Sequence, residues 1–412
     1  MTNYRLLSGL MAMAFVFGIT FIGCDYEKPI GEYTVTFDAI DGSILNFNSN
    51  SVKINVKSGE TIVDLPIAIP PIIVNFSGGW FSQKNGGGIE FTINTKVTSD
   101  LIVYPKWETD PKKAVYIAGN YYNDSNSIAC YWVNGLKTDL STAYPWADAY
   151  AITVSEGSVY IAGRYSNDGY DSLACFWKDG VKTDLSTAES RAEAITVSGS
   201  SVYVAGIYHN GAGDIACYWK NGVKTDLFPV HSSARAITVS ESSVYVVGGY
   251  FTGNFWSDNA VLACYWKNGV KTDLSTVRSE ANAITVSDGS VYIAGWYRND
   301  TNSTVCYWKD GVKTDLSAGP FPAWAYAITV SGNSVYVAGI YHNGTDYIAC
   351  YWKDGVKTDL STVYSWADAI TVSEGSVYVA GREHDIACYW KDGEKIDLLI
   401  SARSTDAFIL ME

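Results

Sequence analysis

Basic charge, histidine and methionine are all scarce in this 412-residue chain. Its 29 Lys and Arg are outnumbered by 43 Asp and Glu, leaving a net charge of −14. Phosphate backbones are held by clustered Lys and Arg, so this balance argues against a nucleic-acid partner. There are four His and no HExxH, Walker A, GxSxG or dinucleotide pattern, so no familiar catalytic signature is present. The eight Cys include no CxxC and no Cys/His spacing, which argues against a metal site. Helical 3.6-residue spacing is missing too, and no cofactor is expected.

What the chain does have is repetition. Ala369–Leu398 reads AITVSEGSVYVAGREHDIACYWKDGEKIDL, and close copies of all or most of it fill the chain from Lys113 onward. The Val-Tyr pair ends at Tyr116, Tyr160, Tyr203, Tyr245, Tyr292, Tyr336 and Tyr378, spaced by 44, 43, 42, 47, 44 and 42 residues. Each unit holds four short runs rich in β-branched and aromatic residues, such as AITVS, VYVAG, IACYW and VKTDL. Asp-Gly or Asn-Gly joins the last two, a two-residue hairpin signal because both positions require positive φ. Four strands in about 40–50 residues make a propeller blade.

The ends of the array suggest closure. The first unit starts at Ala114-Val115-Tyr116 and lacks its AITV strand, whereas the C-terminus carries a surplus Asp406-Ala407-Phe408-Ile409-Leu410-Met411. The expected architecture is all-β: a seven-bladed propeller of four-stranded blades over 113–412, its C-terminal strand completing the first blade and leaving no open edge. The units resemble NHL-type and HAF-type extracellular propeller repeats, a likeness that implies architecture rather than activity.

Seven of the eight cysteines, Cys130, Cys175, Cys217, Cys264, Cys306, Cys350 and Cys388, occupy one equivalent position per unit. Neighbouring blades stand about 10 Å apart, beyond the ~7 Å reach of a disulfide, so these read as small buried hydrophobes. Strand alternation puts Ile386, Cys388 and Trp390 on one face and Ala387 and Tyr389 on the other. The sevenfold Trp132, Trp177, Trp219, Trp266, Trp308, Trp352 and Trp390 is expected between blades. The Lys/Asp pairs of the outer strand, such as Lys357 and Asp359, are expected at a solvated edge.

The N-terminal third is different. Residues 1–23 carry one positive charge, Arg5, and an apolar run from Leu6 to Ile22. They end in Phe21-Ile22-Gly23-Cys24, which resembles a bacterial lipobox. That resemblance implies cleavage before Cys24, lipidation of Cys24, and export with a lipid anchor in the cell envelope, at the outer membrane or cell surface. A tether over 24–32 follows. Residues 33–108 resemble an internalin B-type (Listeria–Bacteroides) repeat, a small β-grasp-like module, through Val35, Phe37, Gly59, Glu60, Leu65, Pro66, Gly79-Trp80-Phe81, Gly86–Gly88, Phe91, Thr92, Tyr104, Lys106 and Trp107. The resemblance implies a stalk or interaction module. Thr109–Lys112 is the linker.

Tight turns lie on one rim of such blades. The loops between second and third strands share the other rim with the blade-to-blade connectors. Variable loops on a rigid scaffold are where recognition usually sits. The aromatics there are the candidate ligand-binding residues: Trp256 and Phe255 in the long fourth unit, Trp296, and Trp146, Trp324 and Trp366 in connectors. The recurrence of Trp-Ala before AITV at the last three favours packing for them, and Trp256 is the better candidate for recognition. His209, His342 and His384 fall in loops of the same rim. Asn167-Asp168-Gly169-Tyr170-Asp171 has oxygen ligands but lacks the EF-hand series, so turn chemistry accounts for it. The favoured function is an envelope-anchored, non-enzymatic binding module for a glycan or protein. A propeller polysaccharide hydrolase or lyase, and a purely structural scaffold, are the alternatives.

Overall fold

A computed structural model describes residues 31–39, 43–44, 49, 51–63, 65–66, 68–69, 75–84, 87–108, 114–123, 126–133, 136–140, 146–167, 171–229, 231–253, 261–299, 302–316, 320–384, 386–398 and 408–411. Among these, the ordered elements are almost all β-strands, and no helix is long and apolar enough to cross a membrane. The chain falls into two compact parts that meet in sequence between Trp107 and Glu108. Cys24 and the run from Leu6 to Ile22 lie outside the described residues.

The first part contains β1 (Glu32–Asp38), β2 (Ser43–Ile44), β3 (Ser51–Lys57), β4 (Ala68–Ile69), β5 (Asn75–Phe81), β6 (Glu90–Phe91) and β7 (Leu101–Glu108). Five form one mixed sheet in the order β3-β1-β7-β5-β6, while β2 and β4 pair separately. The centre is parallel, with Val35 opposite Leu101, and β1 runs antiparallel to β3. Alternation along β1 buries Val35 and Phe37 completely. Phe37 meets Trp80 edge-on at 4.9 Å and Phe91 at 5.8 Å. The buried Trp80 indole donates to the Pro66 carbonyl at 2.8 Å, which satisfies its only polar atom.

In the second part every repeat unit folds as a four-stranded antiparallel meander. Units three to seven are separate four-stranded sheets; a parallel contact between Trp146 and Ser127 joins units one and two into one eight-stranded sheet. The first unit supplies β8 (Val115–Asn123), β9 (Asn126–Val133) and β10 (Leu136–Asp139), and Phe408–Met411 pairs antiparallel with β8. That pairing fills the place left by the missing AITV strand.

Local chemistry explains the hairpins. Asp179 and Gly180 have φ of 49° and 80°, and the equivalent Asp/Asn-Gly pairs repeat these values. The turn aspartate or asparagine also caps the neighbouring hairpin: Asp179 Oδ1 accepts the Val159 N–H at 2.8 Å, and Asp354 Oδ1 accepts that of Val335 at 2.9 Å.

The core is divided among the interfaces between sheets. Cys388 and Trp390 pack with Tyr336 and Ala338 of unit six, whereas Ala387 and Tyr389 pack with Val115, Ile117 and Trp132 of unit one. The expected alternation therefore assigns the two faces of one strand to two different cores. All seven tryptophans of the third strands are at most 1% exposed. The seven cysteines beside them are buried and unbridged. Serines staple one unit to the next: Ser365 Oγ accepts the Ala349 N–H at 2.9 Å and donates to the Val363 carbonyl at 2.8 Å. Ser190, Ser232 and Ser279 accept the same bond in their units.

The outer Lys/Asp pairs lie at a solvated edge, as expected, but they carry a further contact. In units one to six the Lys ammonium lies 3.0–3.7 Å from the ring centroid of a second-strand tyrosine. In units one, three, five and six the tyrosine hydroxyl donates to the same aspartate that the lysine pairs with, as when Tyr341 meets Asp359 at 3.1 Å and Lys357 meets it at 2.7 Å. Sequence alone hid this because the tyrosine stands 18 residues from the aspartate. Cation–π and hydrogen-bond contacts thus turn a surface ion pair into a three-part clamp.

Candidate functional site

The first strands of units two to seven are Trp146–Ser155, Ser190–Ser198, Ser232–Ser240, Ser279–Ser287, Ala323–Ser331 and Ser365–Ser373. Each shifts register once against its second strand, between Ala149 and Ala151 in unit two and at the same place in the others. A β-bulge leaves one extra residue unpaired and re-aims its side chain. The extra residues are Tyr150, Glu193, Arg235, Asn282, Tyr326 and Asp368. All six line one cleft of about 330 Å3. Arg191, Glu280 and Trp366, each two positions earlier, and Arg382 of a second strand complete the wall.

The glycine of VYVAG is what admits the bulge. A Cβ on Gly339 would sit 1.9 Å from the Trp324 carbonyl oxygen, and one on Gly381 would sit 1.9 Å from that of Trp366. Both glycines oppose the strand at the bulge, so only a residue without a side chain leaves room for the displaced carbonyl.

Charge in the wall is arranged residue by residue. Asp148 accepts from Ser127 at 2.7 Å, from Arg164 at 2.9 Å and from Tyr150 at 3.2 Å, and Asn120 in turn donates to Ser127 at 3.0 Å. Arg191 pairs with Glu193. Asn282 donates to the Ala325 carbonyl of the next unit at 2.9 Å, fixing the bulge of unit five against unit six. Burial pushes the Tyr326 phenol above its ordinary value, and the charges of Asp368 and then Glu280 raise it further. Burial, then Asp148, does the same to Tyr150. Both hydroxyls therefore keep their protons and serve as donors.

Aromatic rings belong to the same wall. Trp366 stacks on Tyr326 at 5.7 Å and 20°, with the Arg382 guanidinium 4.7 Å from the indole. The Trp366 indole nitrogen is out of solvent contact and has no acceptor among the described residues. Rings continue outward through Tyr347, which lies 6.0 Å from Trp366 and 5.7 Å from Trp324, to His342 at 5.1 Å and then Phe321. Smaller clefts of about 180 and 190 Å3 share Arg191, Ile207 and Asp214 with each other.

The aromatics expected from sequence separate into distinct environments. Trp366 lines the cleft, and Trp324 is half-buried against Tyr347. Trp146 is not their counterpart. It pairs with Ser166, two positions outside the Asp148–Arg164 pair that matches Trp366–Arg382, and it is 41% exposed. The Trp-Ala recurrence misaligned the three because Trp146 stands five residues before the alanine of AITV, whereas Trp324 and Trp366 stand three before it. Trp296 is 7% exposed with Arg278 over its ring, so it offers little open face. Trp256 and Phe255 lie outside the described residues. His209 and His342 each accept a loop N–H, from Gly211 at 3.1 Å and Gly344 at 3.2 Å, which is local turn chemistry. Among the described residues no group of three His, Cys, Asp or Glu is placed to hold a metal; residues 168–170 of the calcium-like loop lie outside them.

Sequence reading missed the bulge residues. Their signal was present: AITVS is nearly invariant from unit to unit, while the residue just before it is Tyr, Glu, Arg, Asn, Tyr and Asp in turn.

No protein-family model matches the chain, and no curated protein does. Solved structures of similar shape exist at low identity. A puromycin-hydrolyzing peptidase of Mycobacterium tuberculosis is 13% identical with a TM-score of 0.48, over 70% of this chain and 53% of its own. The β-propeller domain of the Trilobed protease from Pyrococcus furiosus is 12% identical with a TM-score of 0.46, over 70% of this chain and 95% of that domain. TolB from Acinetobacter baumannii is 10% identical with a TM-score of 0.41, covering 71% and 82%. The chain spans about half the length of the peptidase.

Proposed function

We propose that the repeat region is a closed seven-bladed propeller serving as a non-enzymatic binding module, with its ligand, a glycan or a protein segment, received at the cleft of bulge residues. Closure is supported by the core shared between units seven and one, by Phe408–Met411 pairing with β8, and by the convergence of six first strands on one cavity. The observation that carries the binding role is the confinement of variation. A strand repeated six times changes at the positions that line the cleft, where stacked rings, guanidinium groups and carboxylates meet. Concave sites with a few convergent polar groups are where ligands bind.

Cys24 carries the lipid in this reading, so the module is displayed on a bacterial envelope and the 33–108 repeat acts as its spacer. Purified protein screened on glycan and envelope-protein arrays tests the binding role. Signal lost on Tyr326→Ala or Trp366→Ala supports it, and silence toward both arrays transfers the reading to a structural scaffold. Metabolic labelling with radioactive palmitate, abolished by Cys24→Ala, tests the anchor.

A further inference from the structure

Resting on that reading, we infer that the ligand is a zwitterion, a short peptide with both ends free, rather than a neutral glycan. Most charges of the cleft are already engaged. Arg191 holds Glu193, Arg382 lies on Trp366, and Asp368 has a partner of its own. Two are different. Arg235, exposed at the bulge of unit four, and Glu280, half-buried in neighbouring unit five, make no ion pair or side-chain hydrogen bond among the described residues. They stand in adjacent walls of the same cleft, one cationic and one anionic.

A ligand that covers these groups strips water from both. A neutral sugar offers hydroxyls but no countercharge, so it leaves a guanidinium and a carboxylate desolvated without ionic partners. A free peptide supplies a carboxylate to Arg235, which binds it through the planar guanidinium fork, and an ammonium to Glu280. The arrangement therefore selects for opposite charges on one small molecule and against ligands lacking either. The Tyr326–Trp366 stack beside Glu280 gives an apolar surface for the side chain between the termini.

The experiment is calorimetric titration of the purified full chain in mild detergent with a mixed tripeptide library rich in aromatic central residues. N-acetylated and C-amidated libraries and neutral oligosaccharides run in parallel. The expected result is binding of unblocked tripeptides that weakens about tenfold or more when either end is blocked. Arg235→Gln should remove sensitivity to the C-terminal block, and Glu280→Gln sensitivity to the N-terminal one. Neither side chain holds the fold together, and an unchanged melting temperature will confirm that each variant is native. Oligosaccharide binding that survives both substitutions overturns the zwitterion and leaves the binding module standing. No binding of either class overturns both.

Discussion

The two halves of each first strand behave as different molecules. From the bulge onward, AITVS recurs in units two to seven and contributes buried isoleucines such as Ile195, Ile328 and Ile370 to the inter-sheet cores. At the bulge and two residues before it the identities vary and supply the cleft wall, whereas the alanine between them is the same in all six units and is buried. A bulge makes this division possible, because the extra residue breaks the two-residue alternation that would otherwise tie one half to the other. Architecture and recognition share a strand without sharing constraints.

The sharpest way to break that comparison is to attack the packed side. Trp308→Ala should cost about 3–5 kcal/mol, read by chemical unfolding, because a fully buried indole leaves a cavity between two sheets. Gly339→Ala strikes the bulge itself. Its Cβ meets a backbone carbonyl that cannot swing aside, and a loss of roughly 3 kcal/mol is expected, together with altered fluorescence of the adjacent Trp324. On the cleft side, Arg235→Gln should move stability by no more than about 0.5 kcal/mol. A large loss there would show that the variable half is structural after all.

Smaller effects sharpen the picture. Ser365→Ala removes a buried acceptor of the Ala349 N–H and should cost about 1–2 kcal/mol by thermal melting. Unit seven replaces the clamp tyrosine with Glu383, whose carboxylate takes bonds from Lys395 and Ser361, each at 2.6 Å. Burial alone would raise its pKa, but those two bonds together with the electrostatic effects of Lys395 and His384 outweigh it and hold the group below its ordinary value. Its contribution is therefore complete above the unfolded glutamate pKa of about 4.3 and is lost as pH falls through the lower folded value. Glu383→Gln should flatten that acid-side decline, an effect under about 1 kcal/mol.

Thiol chemistry reads the same packing without perturbing it. Burial pushes the thiols of all seven repeat cysteines well above the usual range. Iodoacetamide at pH 8 should leave them unmodified in the folded protein and alkylate all seven in denaturant, a difference read by mass spectrometry. Labelling of the native state would mean that the sheets separate readily.

Much of the fold was legible because its signals are local. Period, turn dipeptides and strand alternation sit within a few residues of one another, and repetition multiplied each signal across the units. Even the pairing of Phe408–Met411 with β8 followed from a missing strand at one end and a surplus at the other. The tyrosine clamp was not legible, because the tyrosine lies two strands before the Lys/Asp pair, 18 residues from the aspartate in unit six. The difference between Trp146 and Trp366 does stand in the sequence, since Trp146 lies five residues before the alanine of AITV and Trp366 only three, but the shared Trp-Ala pair masked it.

By itself, then, the sequence determined four-stranded β units, their number of copies, and which tryptophans and cysteines go inside. Periodic burial and hairpin chemistry act over short range and need no knowledge of neighbours. Tertiary structure alone decided which variable residues converge. Six side chains roughly 40 residues apart in sequence become neighbours only when their strands surround a common cavity, and the bulge, a property of pairing rather than of composition, turns them toward it.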